Sequence, residues 1–436
     1  MRSLKGRIGI FVIIGVVLLP VLAWLFGRPL SVRFESGFMI LTTLGQLTGI
    51  LGMALFSITL ILSARLHFLE EYFGGLDRVY NIHHKLGTIA FLFLLVHPVV
   101  LAVRYFAMSL ADAALFLLPG EDWPKNFGIF ALMLLMVLLS VTFFARWRYQ
   151  ILKFVHQILG FAFFMGALHS FLIPSDMTSL PLLRWFMIIL ASLALCAFLY
   201  RSLFGRFLVS RYTYVVEAVT QLDETITDIA MRPEGKTMHY IPGQFVFISF
   251  IDGGIESEVH PFSISSAPTD PKLHITIKAL GDYTKTIRNL QVGATAKIEG
   301  PFGSFTYLNG ENLKQVWIAG GIGITPFMNM ARNLKVNSHT GHKIDFYYSA
   351  KTKQEMVFLK ELTLIAEQYP DLTVIPFNAD ELGFLSMDAV RKMSGDIAGR
   401  DIYVCGPPPM MHSIIEQCLR MGIPRSLIHS EEFKLL

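Results

Sequence analysis

Cysteine is nearly missing from these 436 residues: there are three, Cys196, Cys405 and Cys418, and none stands in a CxxC spacing. That argues against a disulfide framework and against cysteine-held zinc or iron–sulfur sites. Charge is sparse too, at 16% of the chain against 53% apolar residues, and the scarcity is local. The first half holds long uncharged runs, whereas from about Gly205 charges recur as in a soluble protein. The net charge of +4 is modest, and the basic residues gather at the ends of apolar runs rather than in a patch suited to nucleic acid. There is no repeat, no low-complexity tract and no EF-hand loop, so calcium gating has no support. What remains is a membrane domain followed by a globular one.

A helix crossing about 30 Å of hydrocarbon needs about 20 residues. Runs of that kind are expected at 8–27, 38–63, 82–103, 127–145, 151–172 and 182–202. The opening MRSLKGR resembles the basic start of a signal peptide, but the apolar stretch is long and no small-x-small cleavage site follows, so it is read as a helix. Alternate loops put Arg2, Lys5, Arg7, Arg65, Arg78, Arg146, Arg148, Lys153, Arg201 and Arg206 on one side, and Arg28, Arg33, Arg104 and Lys125 on the other. The richer side belongs in the cytoplasm. Six spans then return the C-terminal half to that side, giving a multi-pass inner (plasma) membrane protein with a cytoplasmic C-terminal domain.

Of 13 histidines, five lie in the third and fifth runs: His83, His84, His97, His156 and His169. Ionisable side chains in hydrocarbon are costly, and by default they are functional candidates. Both runs point outward, so His83 or His84 is level with His156 near the inner face, and His97 is level with His169 near the outer. Thirteen residues separate the levels by about 20 Å. Two planar groups, each held by one imidazole from either side, fit this pattern, and bis-histidine ligation suits b-type haem. Zinc would want three or four ligands at one level. A 14-residue step (His83 to His97) nearly preserves the helix face, whereas a 13-residue step (His156 to His169) does not, so helix tilt or a bulge near Pro98 is expected. Gly87 and Gly160, each four residues after a histidine, favour His83 slightly over His84. A proton relay or a polar helix interface is the competing reading.

In the second half, alternating segments at 212–305 predict a small antiparallel barrel, and the strand–helix alternation after it predicts a doubly wound parallel sheet. HPFSISSAP offers the hydroxyls of Ser263, Ser265 and Ser266 beside exposed backbone, groups able to bind a flavin and its phosphates. AGGIGITPF follows a strand, and Gly320, Gly321 and Gly323 let the main chain approach a pyrophosphate at the next helix N-terminus. The spacing is not GxGxxG.

The segments YIPGQFVFI, HPFSISSAP, IKALGDYTKTI, EGPFGSF, AGGIGITPF, YVCGPPPMM and HSEEFKLL, in this order, resemble the ferredoxin–NADP reductase family over 205–436. With the histidine pairs, the chain is similar to bacterial members of the ferric reductase and NADPH oxidase superfamily. The resemblance implies three domains: a six-helix haem domain at 1–204, an FAD-binding barrel at 205–309 and an NAD(P)H-binding α/β domain at 310–436. It implies that His260, Pro261, Phe262 and Ser263 hold the isoalloxazine, the histidine marking the membrane branch that uses FAD. Gly281, Asp282, Tyr283 and Thr284 would lie by the FAD pyrophosphate. Gly321, Gly323, Thr325 and Pro326 would line the nicotinamide nucleotide site, with Cys405, Gly406 and Pro407 close to the nicotinamide, and Phe433 would cover the flavin. Ser349, Lys351 and Lys353 after the next strand favour NADPH.

The function then expected is transfer of electrons from cytoplasmic NADPH through FAD and two haems b to an outer acceptor. Oxygen, giving superoxide, is placed first, and a ferric chelate second. A flavin reductase on a redox-inactive membrane anchor is the alternative of another class. No protein partner is indicated, only lipid, nucleotide and acceptor.

Overall fold

The computed structural model describes residues 2–144, 149–310, 312–337 and 341–431. They form two compact units, Met1–Val209 and Ser210–Leu436.

In the first unit, six helices among the described residues are long and apolar enough to cross a membrane: Ile8–Phe26, Gly37–Ser63, Leu76–Phe106, Trp123–Thr142, Phe154–Leu172 and Pro181–Leu203. These are the expected six. The third starts earlier than its apolar stretch because the helix continues through the polar turn Leu76–His84, which hydropathy alone passes over. The second span is the central one, and its own polar side chains are satisfied within it: Ser57 and Thr59 donate to the carbonyls of Met53 and Leu55, both at 2.8 Å. Such bonds are what hydrocarbon demands of a hydroxyl. Its glycines open room for the third span, Gly45 and Gly52 lying under Leu101 and Leu94.

The expected bulge is not at Pro98. The third span runs as continuous helix Leu76–Val103 with Pro98 inside. It is the fifth span that breaks, into Tyr149–Gln157 and Leu159–Leu172. At the break the Ile158 amide is shared between Val155 O at 3.1 Å and Phe154 O at 3.3 Å, and Phe161 N reaches Ile158 O at 2.9 Å, so three-residue bonds are mixed with the four-residue ones. Each residue in such geometry turns the chain about 120° instead of 100°. The break adds rotation in the sense that the 13-residue step from His156 to His169 requires.

At one end of this unit the loops after the first and fifth spans are tied together. Arg33 Nη1 meets Asp176 Oδ2 at 2.8 Å, Arg28 Nε meets Asp176 Oδ1 at 2.9 Å, and the Arg33 guanidinium lies 3.8 Å over the Trp24 ring. Arg33 and Asp176 are both buried.

The second unit has two sheets. The first contains β1 (Tyr212–Gln221), β2 (Ile226–Pro233), β3 (Phe245–Ile251), β4 (His260–Ser263), β5 (Leu273–Lys278) and β6 (Thr295–Phe302), in the order β4-β3-β6-β1-β2-β5. All its pairings are antiparallel, and a bridge between Ile264 and Ile275 draws the two edges together into a nearly closed barrel. Alternate side chains such as Val246, Ile248, Phe250, Ile275, Ile277, Ala296 and Ile298 fill it. HPFS is itself the edge strand β4.

The second sheet is parallel throughout: β7 (Lys314–Gly320), β8 (Lys343–Ala350), β9 (Leu372–Asn378), β10 (Asp401–Cys405) and β11 (Ile428–Ser430), in the order β11-β10-β7-β8-β9. Strands β7 and β10 read as nearly continuous buried runs because helices cover both faces. From β7 the chain winds one way to β8 and β9, then the other way to β10 and β11. The strand order therefore reverses between β7 and β10, where a doubly wound sheet opens a crevice at the C-terminal strand ends.

Candidate functional site

The membrane histidines come together in two pairs. The ring centres of His83 and His156 are 6.2 Å apart, and so are those of His97 and His169. His84 is exposed, 6.1 Å from His83. Three of the paired rings are anchored through Nδ1: His83 to Thr59 O at 2.9 Å, His97 to Gly45 O at 2.6 Å and His169 to Pro124 O at 2.8 Å. A carbonyl oxygen only accepts, so Nδ1 carries the proton and Nε2 keeps its lone pair. This is the arrangement of metal-ligating histidines, whose second nitrogen donates to a main-chain carbonyl. A metal gripped by two imidazoles at about 2 Å each puts the ring centres about 6 Å apart once the ring half-widths are added. Both pairs meet that condition, so the donor set fits a group held through two axial positions.

Glycines make room for the His97–His169 pair. A methyl on Gly49 would lie 2.8 Å from His97 Nδ1, and one on Gly128 would lie 2.8 Å from His169 Cγ. Gly87, by contrast, lies over Thr59 at ordinary contact distance, and Gly160 is covered by Phe198.

In the barrel, His260 is fixed on two sides. Its Nε2 meets Glu258 Oε2 at 2.7 Å, and its ring stacks on Tyr283 at 4.2 Å with 17° between planes. Burial raises the Tyr283 hydroxyl's pKa, with the Glu258 carboxylate adding to it, so the phenol stays protonated. Tyr283 belongs to the turn Asp282–Thr286, where Thr284 Oγ1 accepts from the amides of Leu280 and Gly281, both at 2.9 Å. Pro261 and Ser263 point inward, while His260 and Phe262 are half-buried. The hydroxyls of Ser265 and Ser266 are engaged within the protein. The Ser265 hydroxyl pairs with Thr276 Oγ1 at 3.1 Å, and the Ser266 oxygen accepts from His274 N and pairs with Tyr240, both at 2.9 Å.

The crevice between β7 and β10 collects the other candidates. Gly320 ends β7, Gly321 has φ +53°, a conformation that favours glycine, and the turn Gly321–Ile324 leads into the helix Thr325–Val336 with Pro326 in its first turn. A methyl on Gly323 would strike the Cys405 carbonyl and fall 2.6 Å from Gly406 Cα. The glycine loop and the Cys405–Pro407 loop are therefore in direct contact. Cys405 is buried, and burial, with Glu431 adding to it, pushes its thiol pKa up, so it stays a neutral thiol. Ser349 is buried opposite Gly320 in the sheet register, and Lys351 and Lys353 are exposed just beyond β8. Phe433 and Glu432 lie outside the described residues.

Sequence reasoning passed over Glu258, although its position two residues before His260 on extended chain was a usable signal. It also passed over the carbonyls of Gly45, Thr59 and Pro124. Every residue has a carbonyl, so no sequence signal marks these three.

The chain matches known families over three stretches: a ferric reductase like transmembrane component at residues 48–167, an FAD-binding domain at 212–320 and an oxidoreductase NAD-binding domain at 317–416. Over 233 residues it is 30% identical to the glycine betaine monooxygenase reductase subunit of Chromohalobacter salexigens, covering 50% of this chain and 62% of that protein. It is 26% identical over 220 residues to flavohemoprotein B of Dictyostelium discoideum, covering 44% of this chain and 52% of that one. The chain thus spans less than two thirds of the length of either relative. Among solved structures, the FAD/NAD binding domain of nitric oxide dioxygenase from Vibrio cholerae O1 biovar El Tor is 23% identical, with a TM-score of 0.44 over 51% of this chain and 98% of that domain. The chain thus combines six apolar helices that mark an integral membrane protein, part of them similar to a ferric reductase like transmembrane component, with segments similar to FAD-binding and oxidoreductase NAD-binding domains.

Proposed function

We propose that this protein carries electrons from NADPH, through FAD and two haems b, to an acceptor on the far side of the membrane. Oxygen, reduced to superoxide, is the first acceptor, and a ferric chelate is the alternative. The observation that carries the proposal is the pair of pairs: two facing imidazoles at each of two levels, both at 6.2 Å, on helices that span the membrane. A redox-inactive anchor gives no reason for these four costly side chains.

His83 with His156 would hold the inner haem, and His97 with His169 the outer one. Support for His83 over His84 is its ring facing His156 and its Nδ1 bond to Thr59. The flavin, when bound, supplies the conversion from two-electron to one-electron chemistry. His260, Pro261, Phe262 and Ser263 would line it, with Gly281–Thr284 by its pyrophosphate. Gly321, Gly323, Thr325 and Pro326 would seat the nicotinamide nucleotide, with Cys405, Gly406 and Pro407 close by. Lys351 and Lys353, exposed past β8, support NADPH over NADH as partners for the extra phosphate. With one imidazole committed from each side, the four histidines would hold and position the haems and tune their potentials, and no acid–base or nucleophilic chemistry would be asked of the membrane half. The excess of Lys and Arg on one side of the bundle supports an inner-membrane protein with the nucleotide-binding half in the cytoplasm.

The test is the visible spectrum of the detergent-purified protein, before and after NADPH under nitrogen, and then in air. A reduced b-type spectrum followed by fast reoxidation with superoxide formed is the expected result. Slow reoxidation by air but fast reoxidation by ferric chelate selects the reductase. Bound flavin without any haem band overturns the proposal.

A further inference from the structure

We propose that Arg332 and Asn329 are positioning residues for hydride transfer, fixing the flavin-bearing segment against the helix that opens the nucleotide loop. The observation is a complete account of four main-chain groups at Ile264 and Ser265, directly after β4. Their amides face the barrel: Ile264 N donates to Gln244 O at 3.1 Å, and Ser265 N donates to His274 O at 2.8 Å. Their carbonyls face the other sheet's helix. Asn329 Nδ2 donates to Ile264 O at 3.2 Å, and Arg332 Nη1 donates to Ser265 O at 2.6 Å. Two consecutive peptide groups are thus held by one lobe through nitrogen and by the other through oxygen. Main-chain groups this buried require partners, and here the partners come from opposite sides of the crevice.

Asn329 and Arg332 are three residues apart and so share a face of the helix Thr325–Val336. Asn329 is fully buried. Two further donors of Arg332 form a fork on Glu361, Nε to Oε1 at 2.7 Å and Nη2 to Oε2 at 2.8 Å, which fixes the guanidinium plane. On the barrel side, Ser265 is braced through Thr276 to Asp228 at 2.7 Å, and Asp228 is held by His274 at 2.8 Å. The helix starts directly after Gly321–Ile324, and Arg332 lies about 10 Å further along its axis. One rigid rod therefore carries the nucleotide loop at its start and grips the flavin segment in its middle, which sets the gap that the nicotinamide hydride must cross.

This rests on the reading that NAD(P)H at the glycine loop reduces a flavin lying along His260–Ser263. The test uses full-length, flavin-saturated protein mixed with NADPH under nitrogen, following the flavin absorbance in a stopped-flow instrument. Flavin content and the visible circular dichroism of the bound flavin are recorded alongside. Arg332→Lys keeps a cation for Glu361 but lacks the planar fork that also reaches Ser265, and Asn329→Ala removes the second bond alone. The expected result is a fall of about tenfold or more in the limiting reduction rate, with the half-saturating NADPH concentration and flavin content unchanged and the dichroism altered. Displacements of about 1 Å have effects of this size. A limiting rate unchanged in both variants, or a loss that only tracks flavin content, overturns the proposal. No flavin bleaching in the unsubstituted protein overturns the underlying reading instead, and the clamp with it.

Discussion

His97 and His169 face each other at 6.2 Å, and each carries its Nδ1 proton to a main-chain carbonyl of a different helix, Gly45 for one and Pro124 for the other. The two rings are aimed by backbone before any group binds between them. Ligand geometry here is a property of helix packing, and the first expectations follow from it.

If electrons enter at the His83–His156 level as proposed, His83→Ala is expected to remove about half of the haem and to stop NADPH from reducing the remainder. His84→Ala should leave haem content and reduction intact, since it is His83 whose ring lies 6.2 Å from His156 and whose Nδ1 is anchored on Thr59 O. Haem-to-protein ratios of the two variants, with NADPH-reduced spectra, check this. Equal losses from both would remove the preference for His83.

Gly128→Ala places a methyl 2.8 Å from the His169 ring, near its root where the side chain has little freedom to move aside. The ring must rotate away from His97. The expected outcome is loss or a shifted spectrum of one haem, with flavin reduction by NADPH at its original rate. Redox titration of the haem bands is the measurement, and two unaltered midpoints would contradict it.

Asp176→Ala leaves the buried Arg33 without its counter-charge, and breaking a buried pair in this way costs about 3–5 kcal/mol. Arg28→Ala removes only the half-exposed member of the same cluster, and should cost no more than about 1 kcal/mol. Thermal unfolding in detergent, followed through the haem band, ranks the two. A smaller effect from Asp176→Ala than from Arg28→Ala would contradict the ranking.

Asp401 predicts a dependence on acid. Burial alone would raise its carboxyl, but the bonds from His429 at 2.5 Å and the Asn312 amide at 2.7 Å override that and hold its pKa below the usual range. A depressed carboxylate contributes stability above its unfolded value near 3.9, and the contribution is lost as pH falls through the lower folded value. Asp401→Asn should therefore be less stable than the unsubstituted protein at pH 7, with the gap closing below about pH 4. Thermal midpoints across that range test it, and a gap that widens in acid would reverse the sign.

The parts legible in the sequence were those with a period or a composition. Six apolar runs, alternating strands and a glycine loop after QVWIA all carry their geometry in residue order. The histidine levels were legible because a constant rise per residue turns spacing into depth. Their faces were not. The tightened turn at Ile158 adds rotation between His156 and His169, and nothing in ILGF announces it. The fate of Ser265 and Ser266 was hidden for a related reason. Whether a hydroxyl faces a ligand or a neighbouring strand depends on a bridge between Ile264 and Ile275 that local sequence does not encode.

The second span holds none of the paired histidines, yet it touches both levels: Gly45 O accepts from His97 and Thr59 O from His83. Those carbonyls are 14 residues apart, as are the two histidines, so one helix acts as a ruler of about 21 Å laid against another. Slippage of that ruler by a single turn would strip the proton acceptor from an imidazole at the inner and the outer level together. The voltage steps of such a wire would thus be ganged: point changes can retune one rung, but any motion of the second helix must retune both.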